Sequence, residues 1–204
     1  VTLSGGSLFI ALILTMITCM LLGMAVPTSA AYIITASLGA PALIKLGVPP
    51  LAAHLFVFYF ACISAITPPV ALAAYAGAGI AGSDPMRTGF IATKLGVAAY
   101  IVPFMFVYGP PLILVGPPWE ILLAGVTSTV GVFLLASGFE GWLHGPASWI
   151  ERVLLIAGSL LLIKPGIGTD LLALLPVGIA YLLHFSKHRR ARVVASRISS
   201  LREP

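Results

Sequence analysis

Charge is scarce in this 204-residue chain: Lys, Arg, Asp and Glu together make up 8 % of it, against about 25 % in an ordinary soluble domain. With 59 % hydrophobic residues and a mean hydropathy of +1.09, it lacks the polar surface to coat a globule in water. A soluble enzyme, a disordered tail and a nucleic-acid module are excluded together, and the solvent is mostly lipid. Cysteine is scarcer still, with Cys19 and Cys62 both inside apolar runs. Neither has a His or a second Cys at metal-ligand spacing, so both read as small buried hydrophobes. The chain opens on Val1 with no initiator Met, basic n-region or cleavage site, which reads as a piece of something longer.

The net charge of +5 belongs to one end. Up to Ser186, Lys45, Arg87, Lys94, Arg152 and Lys164 are balanced by Asp84, Glu120, Glu140, Glu151 and Asp170. Lys187, Arg189, Arg190, Arg192, Arg197 and Arg202 then crowd the last stretch, 186–204, beside the lone acid Glu203. A basic stretch just after an apolar helix marks the cytoplasmic side of a membrane, so a nucleic-acid arm is not needed to explain it. Val194, Ile198 and Leu201 follow i, i+4, i+7 spacing, which suits an amphipathic helix on an anionic leaflet. A plain solvated topology anchor fits equally well.

A bilayer span needs about 20 apolar residues, and several runs here fall short. Leu8 to Leu22 ends at Gly23-Met24-Ala25-Val26-Pro27-Thr28-Ser29, and Ala30 to Leu43 ends near Lys45, Gly47 and Pro49-Pro50. Two short arms joined by a Gly/Pro/hydroxyl tip predict a re-entrant hairpin over 8–43. Leu51 to Ile66 stops at Thr67-Pro68-Pro69, and the apolar pattern resumes from Val70 to Ile80. Two consecutive prolines remove two backbone donors and break the helix, giving a discontinuous helix over 51–81. Broken backbone at membrane depth persists only where protein or a watery cavity satisfies it, so the breaks are the informative places.

The later segments are plainer. Residues 88–108 predict a span kinked at Pro103, and Ile121 to Ser137 a second. Val153 to Ile163 and Leu171 to Phe185 are short, and read as tilted spans or another hairpin. Counting back from a cytoplasmic tail puts loop 138–149 inside, 109–120 outside and 82–87 inside. Arg87 and Lys94 then fall on or near the cytoplasmic face, as the positive-inside rule requires. The organisation is thus 1–115 with hairpin, broken helix and span, 116–185 with additional transmembrane helices, and the tail 186–204.

Two motifs look functional and are not. Gly77-Ala78-Gly79-Ile80-Ala81-Gly82 spells the dinucleotide fingerprint, but that motif needs a strand before it and an acid about 20 residues on. An apolar helix precedes it and no acid lies near Val102, so small residues for tight helix packing account for it. Ser64 and His54 share the 51–66 helix, but ten residues of helix are about 15 Å of rise, too far for a protease dyad. His54 reads as a packed or interfacial side chain at a helix start, and His144, between Trp142 and Trp149, as part of an aromatic belt.

The two breaks share a chemistry. Each combines freed carbonyls with hydroxyls, and from Val1 to Ser83 the only charged side chain is Lys45. Unwound carbonyls, Ser/Thr oxygens and half-helix dipoles suit a hard cation. A proton relay needs Asp, Glu or His in the pathway, and only His54 is available there. Neutral oxygens therefore favour a sodium-type site.

Three blocks carry a resemblance: Gly23-Met24-Ala25-Val26-Pro27-Thr28-Ser29-Ala30-Ala31-Tyr32, then Ala53-His54-Leu55-Phe56-Val57-Phe58-Tyr59-Phe60, then Ile66-Thr67-Pro68-Pro69-Val70-Ala71-Leu72-Ala73-Ala74-Tyr75. Together with Ala81-Gly82-Ser83-Asp84-Pro85-Met86, residues 1–115 resemble the C-terminal half of the large membrane subunit of TRAP transporters, and are most similar to fused permeases of the TAXI type. Residues 120–204 resemble the C-terminal helical extension that some fused permeases carry. The resemblance implies an all-α polytopic membrane protein of elevator type in a bacterial or archaeal inner membrane, its C-terminus cytoplasmic. It also implies a sodium-driven secondary transporter, not an enzyme, with Na+ as coupling ion and no other cofactor. Its partners would be a periplasmic substrate-binding protein, a small membrane subunit (separate or fused upstream) and an organic anion such as a carboxylate. Gly23 to Ser29 would form the second hairpin tip, and Ser64 to Pro69 the break that faces it. Gly23, Thr28, Ser29, Ser64 and Thr67 are the expected ion or substrate contacts, with Thr28, Ser64 and Thr67 the sodium candidates and Pro27, Pro68 and Pro69 shaping the backbone. The first hairpin would lie upstream, so these residues alone are expected not to transport. A channel would instead conduct sodium without a binding protein, and an assembly subunit would tolerate Thr67→Ala and Thr28→Ala.

Overall fold

The computed structural model describes residues 4–24, 26–143 and 145–200, with side chains up to Phe185. Nine α-helices and no strand occur among the described residues. The chain divides into two compact units, 1–125 and 126–204.

In the first unit, α1 (Leu8–Gly23) and α2 (Thr28–Lys45) are 16 and 18 residues long. At 1.5 Å per residue they reach about 24 and 27 Å, each short of a ~30 Å hydrocarbon core. Pro27 sets the start of α2 with extended backbone, and Gly47, at φ +90°, follows its end. Pro50 then opens α3 (Pro50–Ile63) at the first helical position, where a missing N–H costs nothing. A 3₁₀ turn, Ser64–Ile66, runs into Thr67-Pro68-Pro69, and α4 (Leu72–Ala81) resumes the helix. Gly82 closes α4 in the left-handed region at φ +66°. Asp84 caps α5 (Pro85–Leu95) by accepting from the Arg87 N–H at 2.7 Å.

α3 is the buried centre of this unit: Ala52, Ala53, Phe56, Val57 and Phe60 are all fully enclosed. Gly39 lets α1, α2 and α3 approach closely, since a Cβ there would lie 3.1 Å from both Thr15 Cγ2 and Val57 Cγ2. From α6 (Val97–Tyr108), Phe104 meets Phe56 and Phe60 edge-on at 5.2 and 5.9 Å between ring centres, the geometry aromatic quadrupoles prefer.

The sequence places a kinked span over 88–108; the break instead falls at Gly96, where α5 and α6 meet at 42°. Pro103 sits buried inside α6. The fingerprint-like glycines also differ from expectation: Ala78 is buried, but a Cβ at Gly77 or Gly79 would meet nothing within 4 Å. They serve no tight packing within the described residues.

α7 (Pro118–Glu140) carries the chain across the unit boundary. In the second unit, its last turns pack on α8 (Trp149–Ile163) through Gly131 and Gly138, where a Cβ would lie 2.8 Å from Ile163 Cγ1 and from Ile156 Cγ1. α8 pairs with α9 (Ile167–Ser200) as an antiparallel hairpin, so tight at Gly158 that a Cβ would come within 2.5 Å of Val177 Cγ2. Leu134, Leu155, Leu162, Ala173 and Ala180 form the core.

Among the described residues, α7 and the 167–185 part of α9 are long and apolar enough to cross a membrane, and the bent α5–α6 pair makes a third candidate. Large apolar side chains such as Phe9, Leu21, Ile33, Phe133, Leu175 and Leu182 stand exposed, which suits a hydrocarbon surround and would be costly in water. The spacing of Val194, Ile198 and Leu201, and the loop residue His144, fall outside the described side chains.

Candidate functional site

The prolines of the second break leave Ser64 to Pro69 dependent on side chains for support. The Pro68–Pro69 peptide is cis, and Ala71, buried ahead of α4, takes the left-handed conformation at φ +34°. For a residue with a Cβ that conformation costs about 1 kcal/mol or more, so the surroundings hold it. Ser64, Thr67 and their neighbours bond back into the end of α3: Ser64 Oγ donates to the Ala61 carbonyl at 2.7 Å, and Thr67 Oγ1 to the Ile63 carbonyl at 2.8 Å.

The hairpin tip meets this break at one point. A Cβ built on Gly23, the last residue of α1, would lie 2.6 Å from Ser64 Oγ and 3.1 Å from Ser64 Cβ. Only glycine allows that approach, and both residues are buried. Two residues singled out from sequence, 41 positions apart by their numbers (64 − 23), are thus brought together. Thr28 and Ser29 are different: both lie exposed in the first turn of α2, and no hydrogen bond among the described residues joins either to the break.

The break is supported from outside by side chains that local sequence patterns do not flag. From α5, Thr93 Oγ1 reaches the Ile66 carbonyl at 3.2 Å, while also bonding the Gly89 carbonyl of its own helix at 3.0 Å. From α6, the Tyr100 hydroxyl sits 2.5 Å from Thr67 Oγ1. Tyr75 donates to the Pro69 carbonyl at 2.8 Å. Gly89 of α5 and Gly96, at the α5–α6 junction, face the break, with Cβ positions 3.2 Å from Pro68 Cγ and 3.0 Å from Ile66 Cδ1. Every oxygen here is neutral. No group of three or more His, Cys, Asp or Glu could hold a metal ion among the described residues.

His54 is exposed, with Nδ1 3.0 Å from the Tyr32 hydroxyl. This bond links the start of α3 to α2. Cys19 and Cys62 are free thiols, the first buried and the second half-buried.

A second polar cluster lies in the second unit, around Glu151 and His184. Ser148 and Glu151 form a capping box at the start of α8, and Glu151 Oε2 accepts from the Ser148 N–H at 3.0 Å. The same oxygen lies 3.1 Å from His184 Nδ1, and both side chains are buried. Burial pushes the Glu151 carboxyl up, but the His184 ring and the Ser148 hydrogen bonds outweigh it and hold it below the ordinary glutamate value. Arg152 caps the end of α7, its Nε donating to the Gly138 carbonyl at 3.0 Å and a terminal nitrogen to Phe139 at 2.9 Å. The Ser148-x-x-Glu151 spacing was the one local signal for this cluster.

Neither the curated proteins nor the solved structures that were compared gave a match. A family model does match: Tripartite ATP-independent periplasmic transporter, DctM component, over residues 1–119. The match covers more than half of the chain, including the hairpin, the broken helix and the α5–α6 pair. This is a family of multi-pass secondary-transporter subunits and not an enzyme class, and the protein belongs to it as a large membrane component of a TRAP transporter.

Proposed function

We propose that the protein is the permease part of a sodium-coupled TRAP importer of TAXI type, and that the Ser64–Pro69 break carries a sodium site closed by the Gly23–Ser29 tip. The carrying observation is the close approach of Gly23 to Ser64. It gives the tip and the break a shared floor, so a shift of either changes the surroundings of the other. Ser64 Oγ, Thr67 Oγ1 and the Ile66 carbonyl offer neutral oxygen ligands, and sodium accepts such oxygens without a carboxylate. Thr28 and Ser29, at the exposed start of α2, are suited to the anion, because a helix start presents free N–H groups and the positive end of the dipole.

On this reading an organic anion such as a carboxylate arrives from a periplasmic binding protein, and a small membrane subunit supplies the scaffold. The chain sits in the inner membrane with its C-terminus in the cytoplasm, and the hairpin and broken helices move together as in an elevator. Sodium at the break organises the tip that closes over the anion, which couples the two.

Thermal unfolding of the assembled transporter in sodium, potassium and choline chloride tests this without knowing the anion. A ligand that binds only the folded state stabilises it by about 2.7 kcal/mol at a hundredfold excess over its Kd. A rise in melting temperature specific to sodium, reduced in Thr67→Ala, is expected. Identical melting in all three salts would remove the support for sodium coupling and make His54 the next candidate as a proton carrier.

A further inference from the structure

We propose that Tyr100 and Thr93 are positioning residues for the cation site, holding the Thr67 hydroxyl and the Ile66 carbonyl in place from α6 and α5. The proposal rests on the reading of the break as a cation site, and deepens it by naming what keeps neutral oxygens aimed.

The proton count fixes the direction of the Tyr100 bond. Thr67 Oγ1 donates its only proton to the Ile63 carbonyl at 2.8 Å, since a carbonyl can only accept. The Tyr100 O–H, 2.5 Å away, therefore donates to Thr67 Oγ1. Pinned by one donated and one accepted bond, the Thr67 side chain cannot rotate, and one lone pair of its oxygen stays free for a ligand. Without Tyr100, the hydroxyl has only the bond to Ile63 to hold it.

The Ile66 carbonyl is treated the same way. It lies just ahead of the proline pair and accepts a bond from Thr93 Oγ1 at 3.2 Å. That proton is shared with the Gly89 carbonyl at 3.0 Å, so Ile66 is held without being saturated. The face of α5 and its C-cap, Gly96, are cut to allow this. Gly89, Thr93 and Gly96 follow i, i+4, i+7 spacing, and both glycines leave just the room that Pro68 Cγ (3.2 Å) and Ile66 Cδ1 (3.0 Å) occupy. The 42° bend at Gly96 then lets one bent pair of helices present Thr93 from one arm and Tyr100 from the other to the same break. A site without a carboxylate depends on such support, because each oxygen must be in place before the ion arrives.

The test titrates the melting temperature of the assembled transporter in nanodiscs with sodium chloride, at constant ionic strength made up with choline chloride. Tyr100→Phe and Thr93→Val are expected to move the half-saturating sodium concentration about five- to tenfold upward, the scale of one lost supporting hydrogen bond. Thr93→Ser, which keeps the hydroxyl, should restore the wild-type half-point. A lower melting temperature without sodium, with unchanged half-points in both variants, would mean a structural role alone and overturn the proposal while leaving the cation site standing. A wild-type protein that does not respond to sodium would overturn both together. Should Tyr100→Phe not fold, the Thr93 pair decides the matter.

Discussion

Replacing Gly23 by alanine puts opposing effects in competition. By helix propensity alone, alanine at the last residue of α1 should stabilise by up to about 1 kcal/mol. The structure predicts the opposite, because the added Cβ would sit 2.6 Å from Ser64 Oγ and 3.1 Å from Ser64 Cβ. To make room the Ser64 hydroxyl must leave its 2.7 Å bond to the Ala61 carbonyl, which strands a buried polar group at a cost of about 1–3 kcal/mol. Overpacking of the remaining atoms costs a similar 1–3 kcal/mol when the neighbours cannot move. Against the propensity gain, a net loss of about 1–5 kcal/mol is expected. The contact is specific, so Ser64→Ala should absorb part of it: the 3.1 Å approach to the Ser64 Cβ needs a shift of only a few tenths of an ångström. Denaturation in mixed micelles, followed for the two single variants and the double, should show a coupling of about 1 kcal/mol or more. Gly79→Ala is the control, since its Cβ enters open space inside α4, and it should gain about 0.5–1 kcal/mol. Additive single effects, or a Gly23→Ala protein as stable as Gly79→Ala, would refute the reasoning.

Other perturbations address the second unit. Because the Glu151 carboxyl is held below its ordinary value in the folded state, its contribution is present above the unfolded value, about 4.3, and is lost as pH falls through the folded one. Tryptophan emission from Trp149 should therefore report an acid-induced loosening of the α8–α9 hairpin below about pH 4.3, and Glu151→Gln should remove that dependence. Arg152→Lys keeps the charge but loses the rigid fork whose two nitrogens reach the Gly138 and Phe139 carbonyls, so a loss of about 1 kcal/mol is expected on thermal unfolding. Gly158→Ala would press on Val177 Cγ2 at 2.5 Å, and Val177→Ala should rescue it in a double variant measured the same way.

The parts of the fold that sequence made legible are those written in proline. Pro27 immediately precedes α2, Pro50 opens α3, and Pro68-Pro69 fall in the gap between α3 and α4. Proline was misleading only at Pro103, which α6 carries in its interior. Membrane helices tolerate proline when neighbours satisfy the freed carbonyl, and the bend went to Gly96, where a lone glycine in an apolar run sends a weaker signal. The Gly77–Gly82 run shows the converse, a strong pattern with open space around Gly77 and Gly79. Residue chemistry at the break was readable, because hydroxyls beside prolines stand out in a chain with so little charge. Its supports were not. Thr93 lies 27 residues from Ile66 and Tyr100 33 residues from Thr67, and nothing local links them until α5 and α6 fold back. His184, 33 residues from Glu151, was hidden for the same reason.

Sodium binding at the second break is the central claim. Equilibrium binding of ²²Na+ to the purified, assembled transporter tests this most directly, with Thr67→Ala and Ser64→Ala compared against Thr169→Ala in the second unit. Saturable binding to the wild type and to Thr169→Ala, weakened at least tenfold in Thr67→Ala and Ser64→Ala, is the predicted result. Binding of equal strength in all four proteins would place the ion elsewhere and contradict the assignment.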